Sequence, residues 1–250
     1  DASGDLSMTP FRQIENCCCG NLLALAEWFR SGDLEDSPNL AHNLGMNDHR
    51  PTLTGAAAAE YTDETFSGFH YEGQEICGKT FLSCHFRDGV FREVVFRECV
   101  FDDCAFERCD LSLAKVPNTS FAGTHFAACK LVGIDWTLAR WAKFGLKRPF
   151  TFHACTLSYS FFSGLKLPQL RLTECIVKEA DFTDADLTGA IFTGTDLSGS
   201  RFVNCELSKA DFNDATNYAI DVKQNWLKKT KFSLPEAVAL LKGLDIVLRE

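Results

Sequence analysis

Cysteines are the residues of this 250-residue chain with the most obvious chemical potential, and there are twelve of them. Eight recur at steps that are multiples of five residues, apart from one step of 26, and among these Cys84 and Cys104 are twenty residues apart; the eight are Cys84, Cys99, Cys104, Cys109, Cys129, Cys155, Cys175 and Cys205. If the fold repeats every twenty residues, such pairs lie within disulfide reach. The spacing favours free thiols that act as small apolar side chains in a reducing compartment. Disulfides and a metal site are the alternatives.

Other candidate catalytic groups are scattered. His85 and His125 are forty residues apart, which would place them on one face of a twenty-residue repeat, and the remaining histidines show no spacing typical of ligands. Asp102 and Asp103 are adjacent, so their carboxylates diverge. The chain has no G-x-S-x-G, no glycine-rich phosphate loop and no H-E-x-x-H. We therefore expect no catalytic, cofactor-binding or metal-binding residues, and predict that the protein is not an enzyme.

The elements that position these side chains are defined by an apolar residue at every fifth position, over about 150 residues. The rhythm extends from Phe66 to Leu146, slips by one residue, and resumes from Phe152 to Phe212. A helix has a period of 3.6 and a strand a period of 2, so a period of five indicates a repeat architecture. The predicted core includes the phenylalanines Phe86, Phe106, Phe126, Phe162, Phe182 and Phe202.

Residue type also recurs every twenty positions, as Phe162, Phe182 and Phe202 show. The residue two positions before each apolar centre is usually small, so both can point inward if the backbone turns between repeats. Four five-residue repeats therefore make one turn, and like side chains stack in columns. Thirty repeats at four per turn predict about 7.5 coils and a rod roughly 35 Å long.

The pattern of a small residue, any residue, Phe or Leu and two further residues resembles the pentapeptide-repeat family. Residues 180–190, Ala-Asp-Phe-Thr-Asp-Ala-Asp-Leu-Thr-Gly-Ala, are a near-ideal example. The resemblance covers residues 66–212 and implies an all-β solenoid, a right-handed quadrilateral β-helix. We predict three regions: an N-terminal extension at 1–60, with a short amphipathic helix at 21–30 and a linker; the β-helix at 61–216; and a C-terminal cap at 217–250.

The C-terminal region carries helix signals. Ser233 and Glu236 have the spacing of a capping box, and Gly243 is a plausible stop. We expect a short helix whose apolar side chains cap the last coil and form a homodimer contact through Leu234, Val238, Leu241 and Leu244. The chain contains no apolar run of about 18 residues, so we expect no membrane span and a cytoplasmic protein.

The net charge of −9 is unevenly distributed. Residues 172–212 hold eight acidic and three basic side chains, whereas residues 77–171 hold thirteen basic and eight acidic ones. An acidic end favours a basic protein surface as partner and argues against direct nucleic-acid binding. The alternative interpretation is a solvated surface that keeps the protein soluble. The candidate partner-binding face consists of Asp181, Asp184, Asp186, Asp196, Glu206 and Asp211.

Residues 157–163, residues 192–199 and the tail from Phe232 are similar to the quinolone-resistance (Qnr) and microcin-immunity branch of the family. That resemblance implies a DNA mimic that binds DNA gyrase or topoisomerase IV and gives protection from topoisomerase poisons. The Qnr branch carries loops between coils, whereas the slip around Lys147, Arg148 and Pro149 predicts a corner or bulge. A generic interaction scaffold with another partner is therefore the alternative function.

Overall fold

The computed structural model of the protein describes residues 53–54, 59–141, 150–244 and 246. All of them belong to one compact unit, residues 52–250. The amphipathic helix expected at 21–30 lies outside the described residues, as do Leu146 and the residues at which we placed the slip.

The described chain is a β-solenoid of about eight turns, as the period predicted. Its strands are two or three residues long because each repeat has room for one outward, one inward and one further outward residue before the next corner. They are β1 (Glu60–Thr62), β2 (Thr65–Ser67), β3 (Glu75–Cys77), β4 (Thr80–Leu82), β5 (His85–Arg87), β6 (Val95–Arg97), β7 (Val100–Asp102), β8 (Ala105–Glu107), β9 (His125–Ala127), β10 (Thr151–His153), β11 (Arg171–Thr173), β12 (Arg201–Phe202), β13 (Asp211–Phe212), β14 (Ala219–Ile220) and β15 (Lys231–Phe232).

Strand pairing among these residues is parallel, and the usual register is twenty residues, as in Phe66 with Phe86. Single bridges at the same spacing continue the ladders where no strand forms. The coil therefore has four faces, which we number by the inward residues of one turn: Phe192 lies on face 1, Leu197 on face 2, Phe202 on face 3 and Leu207 on face 4. The six-stranded sheet β2-β5-β8-β9-β10-β11 forms face 1.

The core is a set of stacked aromatic and aliphatic columns. All six predicted core phenylalanines are buried. On face 3, the Phe182 ring stacks on Phe162 and Phe202 with centroids 4.9 Å apart on each side. Because each ring meets its own kind one turn above and below, identical side chains at a spacing of twenty residues stack ring on ring.

Most corners have a left-handed residue, two positions after the inward centre. Asp184 has φ of 59° and Gly189 has φ of 67°. Asp, Asn and Gly are common at these positions because they tolerate this conformation better than other residues. This preference accounts for the polar residues that separate the apolar centres in the sequence.

The prediction of a one-residue slip near Leu146 is wrong. Phe126 pairs with Phe152, a register of 26 instead of 20. The Arg140 amide still donates to Thr119, 21 residues back, whereas the Thr151 amide donates to Thr124, 27 residues back. Six residues are therefore inserted between Arg140 and Thr151, which is too many for a bulge. Leu146 is apolar and lies five residues after Trp141, so the sequence pattern suggested one more repeat here. Five of the six inserted residues were therefore counted as part of the coil.

The coil also extends beyond residue 216, where we expected it to end. β13 pairs with β15, so that Phe212 stacks on Phe232. A 3-10 helix then spans Glu236–Leu244, at the position of the predicted helix. A second 3-10 helix, Trp136–Leu138, forms a corner of the coil.

The polar residues of the predicted capping box act on the coil. Ser233 Oγ accepts a hydrogen bond from the Asp214 amide at 2.8 Å, and Glu236 Oε1 accepts one from the Asn217 amide at 2.8 Å. The last turn of a parallel coil has amides without a following strand, and these side chains satisfy two of them. The predicted capping box of a helix is therefore not the role in which these two side chains are seen, because both bind amides of the preceding turn of the solenoid.

Candidate partner-binding surface

The six acidic residues expected on one face are distributed over all four. Asp211 lies on face 1, Asp196 on face 2 and Asp181 on face 3. Asp186 and Glu206 are neighbours on face 4, and Asp184 lies at the corner between faces 3 and 4. Consecutive repeats lie on consecutive faces, so residues five, ten or fifteen positions apart in sequence diverge in space. A single acidic face is therefore not what the structure shows.

Most of these carboxylates bind their own backbone. The carboxylate precedes an inward residue and accepts a hydrogen bond from the amide two positions later. Asp181 accepts from Thr183 at 2.9 Å and Asp186 from Thr188 at 3.0 Å. Asp196, Glu206 and Asp211 make the same contact to Ser198, Ser208 and Asn213. These carboxylates therefore stabilise the backbone of the coil and also contribute to its negative charge. The Asp-x-Ser/Thr spacing in the sequence indicates this local contact, and we overlooked it.

Two carboxylates of the set are neutralised by lysines. Lys178 Nζ lies 3.2 Å from Asp196, and Lys231 Nζ lies 3.0 Å from Asp211. Partial burial raises the pKa of Asp196, but hydrogen bonds from Ser198, Asn217 and Lys178 outweigh it and lower this pKa to about 2. Both side chains are thus committed within the coil and offer little to a partner.

The other four form what we call the acidic cluster: Asp181, Asp184, Asp186 and Glu206. They lie on faces 3 and 4 and the corner between them, and none takes part in an ion pair within the part of the chain described. Partial burial raises the pKa of Asp181, but hydrogen bonds from Thr183 and the charge of Arg201 lower it overall. Asp184 is exposed at its corner. The acidic cluster is therefore the part of the predicted face that remains available to a basic partner.

Part of the basic excess of residues 77–171 is balanced by carboxylates on neighbouring coils. Arg87 lies 3.1 Å from Glu107, Arg108 lies 2.7 Å from Asp88, and Arg97 and Arg92 pair with Glu75 and Glu72. Each of these pairs joins adjacent coils, so the opposite charges lie about one coil apart. The sequence count of charge therefore overstates the positive potential of this segment.

Among the buried thiols, four form one column. The predicted neighbours Cys109 and Cys129 are joined by the Cys109 amide, which donates to Cys129 Sγ at 3.4 Å. The Cys129 amide donates to Cys155 Sγ in the same way, so the column continues to Cys155 and Cys175. We did not predict the junction of Cys129 and Cys155, because their separation of 26 includes the insertion. These cysteines are free thiols.

Native thiols should be unreactive. Burial raises the pKa of Cys99 and Cys205 to about 11 and that of Cys104 to about 12, so almost no thiolate exists at pH 8. A hydrogen bond with Cys155 lowers the pKa of Cys175, but this side chain is as buried as the others. We expect all eight inward cysteines to resist a thiol reagent such as Ellman's reagent at pH 8, because the reagent cannot reach them, and all twelve cysteines to react after denaturation without reductant. Fewer than twelve free thiols in the denatured protein would contradict this and indicate disulfides.

The histidines follow the register. His85, Ala105 and His125 lie in one column on face 1, as expected. His125 Nδ1 lies 2.6 Å from Thr151 Oγ1, and His153 Nδ1 lies 3.1 Å from Thr173 Oγ1. Within the described ranges, no group of three or more His, Cys, Asp or Glu residues is arranged to hold a metal ion.

The C-terminal helix leaves apolar side chains in solvent. Leu234 is 79% exposed, and Val238 and Leu244 are also exposed, whereas Leu241 is half-buried. Ala239 and Leu240 of the same helix pack against the core. The helix therefore covers the end of the coil with one side and presents apolar residues on the other. Across the residues that the structure describes, we find no helix with the length and hydropathy needed to cross a membrane.

Comparison with known proteins supports the repeat. A family model described as a pentapeptide repeat region matches residues 79–162, and one described as pentapeptide repeats (8 copies) matches residues 180–216. A search of curated proteins gave no match.

Two solved structures share the fold. HetL, a pentapeptide repeat protein involved in heterocyst differentiation regulation from the cyanobacterium Nostoc, has 16% identity and a TM-score of 0.56, over 68% of this chain and 84% of that one. QnrB1, a plasmid-mediated fluoroquinolone resistance protein, has 20% identity and a TM-score of 0.51, over 75% of this chain and all of that one. At such identities the likeness extends to the fold alone.

Proposed function

Because this chain is a pentapeptide-repeat protein, we propose that it is a non-enzymatic protein that binds a type II topoisomerase, DNA gyrase or topoisomerase IV, as a DNA mimic. The fold belongs to a structural, typically non-enzymatic family. The partner would be a basic protein surface that ordinarily holds duplex DNA. Binding would protect the enzyme from its poisons, as in quinolone resistance, in the cytoplasm and without direct contact to nucleic acid.

The observation that carries this proposal is the acidic cluster. Asp186 and Glu206 lie in register one coil apart, about 4.8 Å along the axis, which is comparable with the 3.4 Å rise between phosphates of one DNA strand. Their backbone hydrogen bonds fix the carboxylates before binding, so little side-chain entropy is lost on association. The narrow solenoid displays these charges on a stiff edge, as a duplex displays its phosphates.

The six-residue insertion removes one objection. We expected only a corner or bulge at the slip, unlike the loop-bearing Qnr branch, whereas the register requires six residues more than a regular turn between Arg140 and Thr151.

An alternative is a scaffold for another partner. It is favoured by exposed basic side chains that have no ion-pair partner among the described residues, since they interrupt a uniformly acidic surface. These are Lys115, Lys130, Arg140, Lys166 and Arg171. Lys166 lies on face 4 itself, where it pairs in register with Asp186 of the acidic cluster. A scaffold accommodates such a charge, because it requires no mimicry.

A supercoiling assay tests the proposal. The full chain, at micromolar excess over purified gyrase, is expected to inhibit supercoiling or to restore it in the presence of a fluoroquinolone. Bovine serum albumin at equal concentration controls for non-specific protection. If neither effect is seen with gyrase, and decatenation by topoisomerase IV is also unaffected, the proposal is rejected in favour of the scaffold.

We also propose that two copies associate through the C-terminal helix. The exposed Leu234, Val238 and Leu244 support this, because burial of such side chains in an isologous contact removes apolar surface from water. Light scattering at micromolar concentration should give twice the chain mass of 27.8 kDa. Val238→Glu should give the monomer mass with unchanged circular dichroism. A monomer in the unmodified chain contradicts dimerisation but leaves the supercoiling test unaffected.

A further inference from the structure

Two exposed aromatic side chains lie at the corner between faces 2 and 3, Tyr159 in the corner itself and Phe161 at the start of face 3. Tyr159 is 59% exposed and Phe161 is 49% exposed. Ser160, between them, points inward and its Oγ donates to the Leu131 carbonyl at 3.2 Å. The backbone is therefore fixed at this corner, and both rings are held outside it. Elsewhere, the phenylalanine rings of the described coil mostly point inward.

A leucine extends this apolar surface. Leu113, Gly133 and Tyr159 occupy the same corner position in three successive coils. A Cβ placed on Gly133 would lie 2.7 Å from Leu113 Cδ2, so Leu113 lies across the glycine toward Tyr159. We call Leu113, Gly133, Tyr159 and Phe161 the corner patch. Exposed apolar side chains grouped at one corner typically mark an interaction site, whereas isolated exposed residues do not.

Carboxylates flank the phenylalanine on both sides. Asp135 and Asp181 pair with Phe161 in register, one coil before it and one coil after it. Each is fixed by a backbone amide: Thr137 donates to Asp135 at 3.0 Å, and Thr183 donates to Asp181 at 2.9 Å. Neither carboxylate forms an ion pair within the described part of the chain. Lys115 and Arg201 are the nearest basic residues in the column, each one coil further out.

An exposed aromatic ring between two carboxylates is complementary to a cation. The ring attracts a cation through its quadrupole, and the carboxylates add two negative charges within about 5 Å on either side. Arginine fits best, because its planar guanidinium stacks on a ring and donates to carboxylates at its edges. Tyr159 and Leu113 would then contact the apolar part of the incoming side chain or its neighbours.

We propose that the corner patch is a docking site for an arginine-bearing segment of a partner protein, with the guanidinium over the Phe161 ring between Asp135 and Asp181. This deepens the proposed function and rests on it only in assuming a basic protein partner. It adds a contact that DNA mimicry does not supply, because an aromatic ring has no counterpart among phosphates.

A second copy of this chain does not fit the site. Two copies could pack face to face about a two-fold axis that is perpendicular to the coil and level with Phe161. In that arrangement, Asp135 of one copy lies against Asp181 of the other. A two-fold axis parallel to the coil sets each residue against itself. Both arrangements oppose like charges, which is unfavourable. The column therefore favours a partner with a different surface.

The test uses the full chain and a fluorescein-labelled peptide of alternating arginine and glycine, six residues long, with fluorescence anisotropy at low salt. Phe161→Leu keeps an apolar side chain but removes the ring, and should weaken binding about fivefold, the equivalent of about 1 kcal/mol for a cation–π contact. Asp135→Asn with Asp181→Asn keeps the backbone hydrogen bonds and should weaken binding about tenfold, with a smaller effect at high salt.

The matched control is Ile176→Leu, because Ile176 is an exposed apolar residue at the same strand position on face 2, between Thr156 and Asp196. It should bind the peptide as the unmodified chain does. No binding by the unmodified chain, equal binding by Phe161→Leu, or equal losses in both leucine variants would overturn the proposal. The peptide assay contains no topoisomerase, so its failure is separate from failure of the supercoiling assay. Thermal melting confirms that each variant is folded.

Discussion

Phe182→Asp is expected to abolish cooperative folding of the solenoid. The ring is fully buried and stacks on Phe162 and Phe202 at 4.9 Å. Removing a buried phenylalanine side chain alone costs about 3–5 kcal/mol. The carboxyl group would lie in a column that offers no hydrogen-bond donor from the neighbouring rings, which adds a desolvation cost. The sum is similar to the whole stability of a typical domain, about 5–15 kcal/mol.

Circular dichroism during heating measures this effect. The unmodified chain should show a β-type spectrum and a cooperative transition, and Phe182→Asp should show neither. Phe182→Leu is the matched control, because leucine already serves as an inward centre at Leu187 and Leu207, and should lower the melting temperature by only several degrees. An unchanged melting curve for Phe182→Asp, or a spectrum dominated by helix, would mean that the aromatic columns do not stabilise the protein.

Reversing the charge of Asp181, Asp184 and Asp186 to lysine should abolish the effect on gyrase. The substitution changes the local charge by six units and sets like charges against a basic partner surface, which costs several kcal/mol. That corresponds to a loss of affinity of about a hundredfold or more. The measurement is the concentration of protein needed for half-maximal effect in the supercoiling assay.

The controls separate charge from structure. Asparagine at the same three positions keeps an oxygen that can accept from the Thr183 and Thr188 amides, so the coil should melt as before while the effect on gyrase weakens about tenfold. A second triple, Asp110→Asn, Glu93→Gln and Glu98→Gln, removes the same charge from earlier coils and should leave the effect unchanged. Full activity of the lysine triple would refute the charge-mimic mechanism even if the protein binds gyrase.

Much of the fold follows from the sequence alone. The five-residue period determines which residues point inward, and the recurrence of Phe162, Phe182 and Phe202 at twenty residues determines four faces per turn. The reason is local: each repeat carries its own inward centre, small residue and left-handed corner, so one repeat predicts the next. The same locality predicted the stacked pairs Cys84 with Cys104 and Cys109 with Cys129.

Only the tertiary structure determines which residues of adjacent coils are neighbours. The insertion was hidden because Leu146 has the residue type of a repeat, and only the pairing of Phe126 with Phe152 reveals its length. The same register joins Cys129 to Cys155 and places Phe161 between Asp135 and Asp181. A charge count along the chain could not foresee that the acidic residues occupy four faces. Side-chain direction is a local property of each repeat, whereas the neighbours of a surface residue belong to other turns, and their identity depends on the exact number of residues in between.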